Sequence, residues 1–328
     1  LARPRAAPHP PLMQITLVDI YRARRRIGAG AYRTPLERSE WLSEVAACDV
    51  YLKLECWQRT RSFKIRGALS AVRTLSPEEC ARGLVAASAG NHGQGVALAA
   101  REAGVKATIF VPASAPATKK ARIRSYGATL QEVDGTYDDA EAAAKAWSQE
   151  TGAVFVHPYA DPRVVAGQGT IGIEILEDLP QVRDVIVPVG GGGLIAGIGA
   201  AIRSAAGTGV RVIGVQSEAT RAMHDSFAAG RPVPYEPRET LADGLAGGVE
   251  AESYAWARAV TSEIRLVGED AIAEAIRELY RRDGIVAEGS AATAAALLLD
   301  STWRPAGPVV LVITGGNIDG DRLAEVLK

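Results

Sequence analysis

Apolar positions recur along this chain in two alternating rhythms, one of helical spacing and one of short β-branched runs. Residues 17–26 read as a helix, with Thr16 as N-cap, Asp19 in the first turn and arginines toward the end. A strand at 49–54, a helix at 62–74, a strand at 83–87 and a helix at 92–103 follow, the last stopped by Gly104. Strands at 106–111 and 129–133 flank a helix at 117–126, and 137–150 is an Ala-rich helix. A second series opens with a helix near Gln168. It continues through a strand at 184–188, a glycine-rich turn, another helix and a strand at 210–215. Helices at 269–283 and 291–299 and an apolar strand at 309–313 complete the pattern.

Strands alternating with helices imply an α/β fold with mainly parallel sheets. Two such series imply two lobes and a cleft between them, where a small molecule can bind. Length and composition refine this only a little. The 328 residues carry 37 Lys and Arg against 38 Asp and Glu, a formal net charge of −1, so there is no general field to attract nucleic acid or an anionic membrane. No stretch is long and apolar enough to cross a bilayer. The three cysteines, Cys48, Cys56 and Cys80, form no C-x-x-C pair and suit a reducing cytoplasm, and the four histidines show no metal-ligand spacing. The Pro-, Ala- and Arg-rich residues 1–12, ahead of Met13, read as a disordered extension or an expression remnant.

Four segments combine glycines with polar residues where a strand meets a helix. In Arg61-Ser62-Phe63-Lys64-Ile65-Arg66-Gly67, Lys64 follows an apolar strand and sits beside Phe63. A solvated charge is the ordinary reading; a partly dry cleft would make the amine a nucleophile toward carbonyls. Ser88-Ala89-Gly90-Asn91-His92-Gly93-Gln94-Gly95 is either a tight turn or a loop whose N–H groups and Asn91 amide hold a carboxylate at a helix start. Gly190-Gly191-Gly192-Gly193-Leu194 removes every Cβ from one turn, so successive N–H groups can converge on a phosphate. It also holds a rival reading. Gly191, Gly193 and Ala196 fit a dinucleotide fingerprint, with Glu218 near the place of a ribose-binding acid, so an NAD-dependent dehydrogenase is an alternative. Thr314, in Ile313-Thr314-Gly315-Gly316-Asn317, ends a late strand, where a hydroxyl ordinarily caps the turn.

Taken in order, these segments resemble fold-type II pyridoxal-5′-phosphate (PLP) enzymes, which are two-lobed and similar to the tryptophan synthase β chain. Within that family the likeness is to biodegradative threonine dehydratases and serine racemases. It covers nearly all the chain after Met13 and includes Ala166-Gly167-Gln168-Gly169-Thr170, Leu241-Ala242-Asp243-Gly244 and Glu288-Gly289. The resemblance implies a large lobe from 13–80 and 160–328, and a small mobile lobe at 81–159 that carries the asparagine loop. Each lobe is a largely parallel sheet flanked by helices, with the cofactor in the cleft. It also implies that Lys64 carries the cofactor, Phe63 lies against its ring and Asn91 bonds the ring hydroxyl. Gly190, Gly191, Gly192, Gly193 and Leu194 would hold the phosphate, and Thr314 would face the pyridine nitrogen. Gly244 and Glu288 would line the far side of the ring; Ser88, Ala89, Asn91 and His92 would receive the substrate carboxylate. The implied reaction is β-elimination from a hydroxy amino acid of the threonine or serine type, giving a 2-oxo acid and ammonia. Lys64 acts as base, and a neutral hydroxyl at the ring nitrogen disfavours a long-lived carbanion. A cytoplasmic homodimer or homotetramer with a small-molecule amino-acid substrate is implied too.

Departures from that family sharpen the expectations. Arg61 stands where Gly is usual, either as a solvent-facing side chain or as a cation suited to 3-hydroxyaspartate. Gln216 and Ala222 replace the acids of relatives with a divalent-cation site, so no metal is expected. Ala89 replaces the Ser that serves racemases as the second acid. The asparagine loop, Gly-Asn-His, differs from the Ser-Gly-Asn-Thr of cysteine-synthase-like β-replacement enzymes. The short run after Thr314 implies no isoleucine-sensing domain.

Overall fold

The computed structural model describes residues 15–300 and 302–328, so the extension expected at 1–12 lies outside the described residues. The chain opens with α1 (Leu17–Ile27), β1 (Leu36–Arg38), α2 (Glu40–Ala46), β2 (Val50–Lys53), α3 (Lys64–Val72) and α4 (Pro77–Arg82). Next come β3 (Leu84–Ala87), α5 (Asn91–Ala103), β4 (Ala107–Pro112), α6 (Ala117–Ser125), β5 (Thr129–Val133), α7 (Tyr137–Thr151) and β6 (Val154–Phe155). The second half comprises α8 (Pro162–Asp178), β7 (Asp184–Pro188), α9 (Gly193–Ala206), β8 (Arg211–Ser217), α10 (Ala222–Ala229) and α11 (Ala251–Val260). It ends with β9 (Glu263–Val267), α12 (Glu269–Asp283), α13 (Gly289–Leu299), β10 (Val309–Val312) and α14 (Gly320–Val326).

Local chemistry sets many of these boundaries. Reciprocal capping boxes start three helices: Thr16 with Asp19 for α1, Ser76 with Glu79 for α4 and Thr136 with Asp139 for α7. One expected boundary is corrected. The helix placed near Gln168 starts at Pro162, because the Asp161 side chain accepts from the Arg163 N–H and Pro162 occupies the first turn.

The strands form two sheets. The larger has the order β1-β2-β10-β7-β8-β9 and is parallel apart from β1, which pairs antiparallel with β2 through Leu36 and Lys53. The smaller, β5-β4-β3-β6, is parallel throughout and draws all its strands from between Leu84 and Phe155. Central strands of the larger sheet are covered on both faces. Val309 and Leu311 of β10 join one core cluster and Val310 and Val312 another, while β7 contributes Ile186 to the first and Val185 and Val187 to the second. That double burial explains why both strands read as continuous apolar runs. No helix among the described residues is long and apolar enough to cross a membrane.

A buried charge network fixes α3 between the larger sheet and α8. Arg66 donates to Glu55 at 2.8 and 2.9 Å and to Glu174 at 2.7 and 2.9 Å, and Lys53 reaches Glu174 at 2.7 Å. Arg66 also donates to Tyr32 O and Thr170 Oγ1, and Lys53 to Thr34 O. Two cations thus balance two carboxylates, every side chain at most 7% exposed. Burial alone would raise the Glu174 pKa, but Arg66 and Lys53 outweigh it and hold the carboxyl below its ordinary range. The network therefore contributes stability above the unfolded carboxyl's pKa and loses it as pH falls through the depressed folded value.

Glu174→Gln removes one charge and leaves buried cations undercompensated, which should cost about 3–5 kcal/mol at neutral pH. Urea unfolding measures it. The difference between variant and parent should narrow on acidification; a loss below about 1 kcal/mol at neutral pH would show that the network is not structural in this sense.

Candidate active site

The carboxyl ends of β3, β7 and β10 face one crevice, the usual ligand position in parallel α/β sheets. Lys64 enters it from the first turn of α3. The turn before it is clamped to the end of β10: Ser62 bridges Gly315, the Phe63 N–H donates to Thr314 O at 3.1 Å, and the Gly316 N–H donates to Arg61 O at 2.9 Å. The Lys64 amine donates to Pro158 O at 3.0 Å and lies 5.2 Å from the centre of the Phe63 ring. Burial drives its pKa down to about 8, against a smaller opposing pull from the Glu288 charge.

The asparagine loop links β3 to α5. Ser88 Oγ accepts from the Gly90 N–H at 3.1 Å, and Ala89 and Asn91 face the cavity beside it. Asn91 Nδ2 donates to Glu288 Oε1 at 2.7 Å, while its Oδ1 accepts from Asn317 Nδ2, also at 2.7 Å. His92 is 3% exposed. Its Nε2 contacts Val156 O at 2.8 Å and so carries the proton, leaving Nδ1 as a buried acceptor with no hydrogen-bond partner. Desolvation, with the Lys64 charge as a lesser cause, lowers its pKa to about 3, so the ring is neutral.

Between β7 and α9 lies the glycine cup. Gly192 takes a φ of +95°, a left-handed conformation that favours glycine. A Cβ on Gly191 would sit 2.6 Å from the Tyr159 ring, and one on Gly193 would sit 2.7 Å from Tyr159 O. The helix that starts at Gly193 has no side-chain cap, which leaves first-turn N–H groups free to receive an anion. Thr314 closes β10 at 3% exposure. Glu288, N-cap of α13, accepts the Asn91 bond and the Asn317 N–H at 3.1 Å; burial and the Asp243 charge push its pKa up to about 7.

All the expected site residues line a single cavity of about 460 Å³: Phe63, Lys64, Ser88, Ala89, Asn91, His92, Gly190 to Leu194, Gly244, Glu288 and Thr314. Pro158, Tyr159, Lys119, Asp243, Ser290 and Asn317 line it too and had not been expected there. Asn317 and Asp243 were visible within quoted motifs, whereas nothing local marks Pro158 or Tyr159. The residues fit PLP. The uncapped glycine cradle suits its phosphate, the low-pKa amine suits its aldehyde, and the unpartnered His92 Nδ1 and Ser290 Oγ offer buried polar atoms at the wall.

Three further features carry other readings. At the rim, Glu141, His157 and Glu250 gather donor atoms within 4.8 Å of one another. However, His157 Nδ1 accepts from the Tyr159 and Ala160 N–H groups, which places the ring proton on Nε2, donated to Glu250 at 3.1 Å. With Lys145 also 3.0 Å from Glu141, the group is internally paired and presents no free imidazole lone pair to a cation. Gln216 spends its amide on Val189 O, Thr220 O and the His224 N–H. Arg61 is exposed, donates to Gly316 O at 3.3 Å and does not line the cavity, so the reading as a substrate-binding cation finds no geometry here.

Comparison with known proteins bears on the family and the fold. A family model described as pyridoxal-phosphate dependent enzyme matches residues 27–315. The chain is 46% identical to the L-threonine ammonia-lyase of Thermotoga maritima over 96% of this chain and 78% of that protein. It is 40% identical to the catabolic L-threonine dehydratase of Escherichia coli K12 over 96% of each. The structure of maize serine racemase superposes with a TM-score of 0.91 at 31% identity, covering 95% of this chain and 97% of that one.

Arg61 holds a φ of +55°, where a Cβ is strained. Arg61→Gly should therefore raise stability by about 0.5–1 kcal/mol in urea unfolding, and should change KM for serine and for 3-hydroxyaspartate by the same factor. A selective rise for hydroxyaspartate would return Arg61 to the site.

Proposed function

The chain belongs to the pyridoxal-phosphate-dependent enzyme family, and on that premise we propose that it is a deaminating dehydratase, an ammonia-lyase that turns L-threonine or L-serine into a 2-oxo acid and ammonia by β-elimination. The observation that carries this reading is the shared cavity of the Lys64 amine and the Gly190–Gly193 cup, in a chain most of whose length matches threonine ammonia-lyases.

When bound, PLP supplies an electron sink that acidifies the substrate Cα–H and eases departure of the β-hydroxyl. The chain's own residues do the rest. The cup and the start of α9 would hold the phosphate, Phe63 would lie against the ring, and Gly244 and Glu288 would line its other side. Asn91 would offer its free Nδ2 proton to the ring hydroxyl, and the Thr314 hydroxyl would serve the ring nitrogen. The Ser88–His92 loop takes the substrate carboxylate at the positive end of α5. Lys64 Nζ, with a pKa depressed to about 8, is free in part near neutrality and increasingly so above it, and takes the Cα proton. The dinucleotide-like Gly191-x-Gly193-x-x-Ala196 pattern then serves the cup, and Glu218 is not among the cavity residues.

Residues 81–159 act in this reading as a small mobile lobe against 13–80 and 160–328. Pairs that span the boundary, Lys119 with Asp243 at 2.9 Å and His157 with Glu250 at 3.1 Å, support it because they link the lobes by polar contacts at the cavity mouth. The enzyme is further assigned to the cytoplasm, which its free cysteines favour, and to a homodimer or homotetramer, which the exposed Val18 and Tyr21 of α1 favour.

Likeness to a serine racemase gives the second reading its weight. Ala89 weighs against it, because a methyl group at the cavity wall has no proton to deliver opposite Lys64. Purified protein given L-threonine or L-serine should yield 2-oxo acid and ammonia in equal amounts, with D-serine in traces. Borohydride should fix a pyridoxyl group on Lys64, and Ala89→Ser should raise racemisation relative to elimination. D-serine forming as fast as pyruvate, or a label on another lysine, would overturn the assignment.

A further inference from the structure

We infer that Asn317 is the residue that positions Asn91, and that it sets which end of the Asn91 amide faces the cofactor; the inference rests on the cofactor reading above. Asn317 lies three residues past Thr314, in the turn that leaves β10. Its Nδ2 spends both protons, one on Asn91 Oδ1 at 2.7 Å and one on Thr60 O at 2.8 Å. Its Oδ1 accepts from Arg122 at 3.0 Å, and its backbone N–H donates to Glu288 Oε2 at 3.1 Å. Thr60 O can only accept and the Arg122 guanidinium can only donate, so the orientation of the Asn317 amide is fixed by its partners.

That orientation is passed on. Asn91 must present Oδ1 to Asn317 and Nδ2 to Glu288, which accepts at 2.7 Å. Turned over, the Asn91 amide would set its N–H groups against those of Asn317, and its oxygen against Glu288 wherever that carboxyl is ionised. One Nδ2 proton of Asn91 is thereby left for an acceptor in the cavity that Asn91 lines. Asn317 also holds Glu288, the second partner of Asn91, through a separate bond. The contacts cross between lobes as well: Asn91 and Arg122 belong to α5 and α6, while Asn317 follows β10 of the larger sheet. Asn91 is therefore oriented only when the two sheets are brought together around the cavity.

A double-substitution cycle on the full chain stripped of cofactor tests this, with the dissociation constant of PLP read by equilibrium dialysis and the absorption spectrum of the rebound cofactor as a second readout. Asn317→Asp keeps the size of the side chain but cannot donate to Asn91. It should weaken PLP about tenfold, the worth of one hydrogen bond, and shift the bound-cofactor absorption. In an Asn91→Ala background the same substitution should cost less than about twofold, because the residue it acts through is gone. Equal losses in both backgrounds would mean that Asn317 merely holds the loop, and no loss in the parent that retains Asn91 would mean that it does not position Asn91; either overturns the inference. If Asn317→Asp does not fold, Asn317→Ser read the same way decides between the same outcomes. Failure of the unsubstituted protein to bind PLP would sink the cofactor reading itself, and is told apart because all four proteins then show no binding.

Discussion

An amine held in a desolvating cleft without a carboxylate of its own is the constraint on which this site depends. Lys64 Nζ has Pro158 O as its hydrogen-bond partner, and Glu288 acts on it only as a more distant charge. Removing an ammonium from water on those terms favours the neutral form. Lys53 shows the opposite arrangement in the same chain: its amine pairs with Glu174 at 2.7 Å inside the buried network and faces no cavity. Sequence composition does not separate the two lysines. What separates them is which side of the sheet end each is delivered to, and whether a carboxylate waits there.

Delivery is enforced from both ends of the lysine segment. Ahead of it, the clamp between Arg61–Phe63 and Thr314–Gly316 ties the turn to the end of β10. Behind it, Arg66 is locked to Glu55 and Glu174, so α3 can neither rotate nor slide without exposing an unpaired buried charge. Tyr159 does comparable work for the cup. Its ring and backbone fill the space that side chains on Gly191 and Gly193 would need, and its neighbour Pro158 supplies the carbonyl that receives Lys64. The amine and the glycine cup are thus registered to one another through a single loop that leaves the smaller sheet.

Much of this was legible in the chain. Lys64, the glycine run and the asparagine loop announce themselves because each is a local motif at a strand–helix junction, and all reach one cavity. The helix capped at Thr16 and the Ala-rich helix from Tyr137 were equally plain. The short or exposed elements were not: β1 has three residues, Leu36-Glu37-Arg38, and β6 has two, so neither displays a period. The role of Asn317 within its quoted motif, and Pro158 itself, escaped for a different reason. Their partners lie 226 and 94 positions away, and a hydrogen bond between such residues leaves no trace in spacing. The start of α8 was readable, since Asp161 and Pro162 form an N-terminal signal, but the glycines around Gln168 drew the boundary inward.

The central claim, that the fold itself brings the Lys64 amine's pKa down toward neutrality, is tested most directly on the protein stripped of cofactor. Reductive methylation with formaldehyde over a pH series, quantified peptide by peptide by mass spectrometry, gives the titration of each lysine. Lys64 should react with a midpoint near pH 8, about two units below lysines of ordinary pKa. A midpoint at the ordinary value, together with the other lysines, would show that the cavity does not desolvate the amine and would contradict the account.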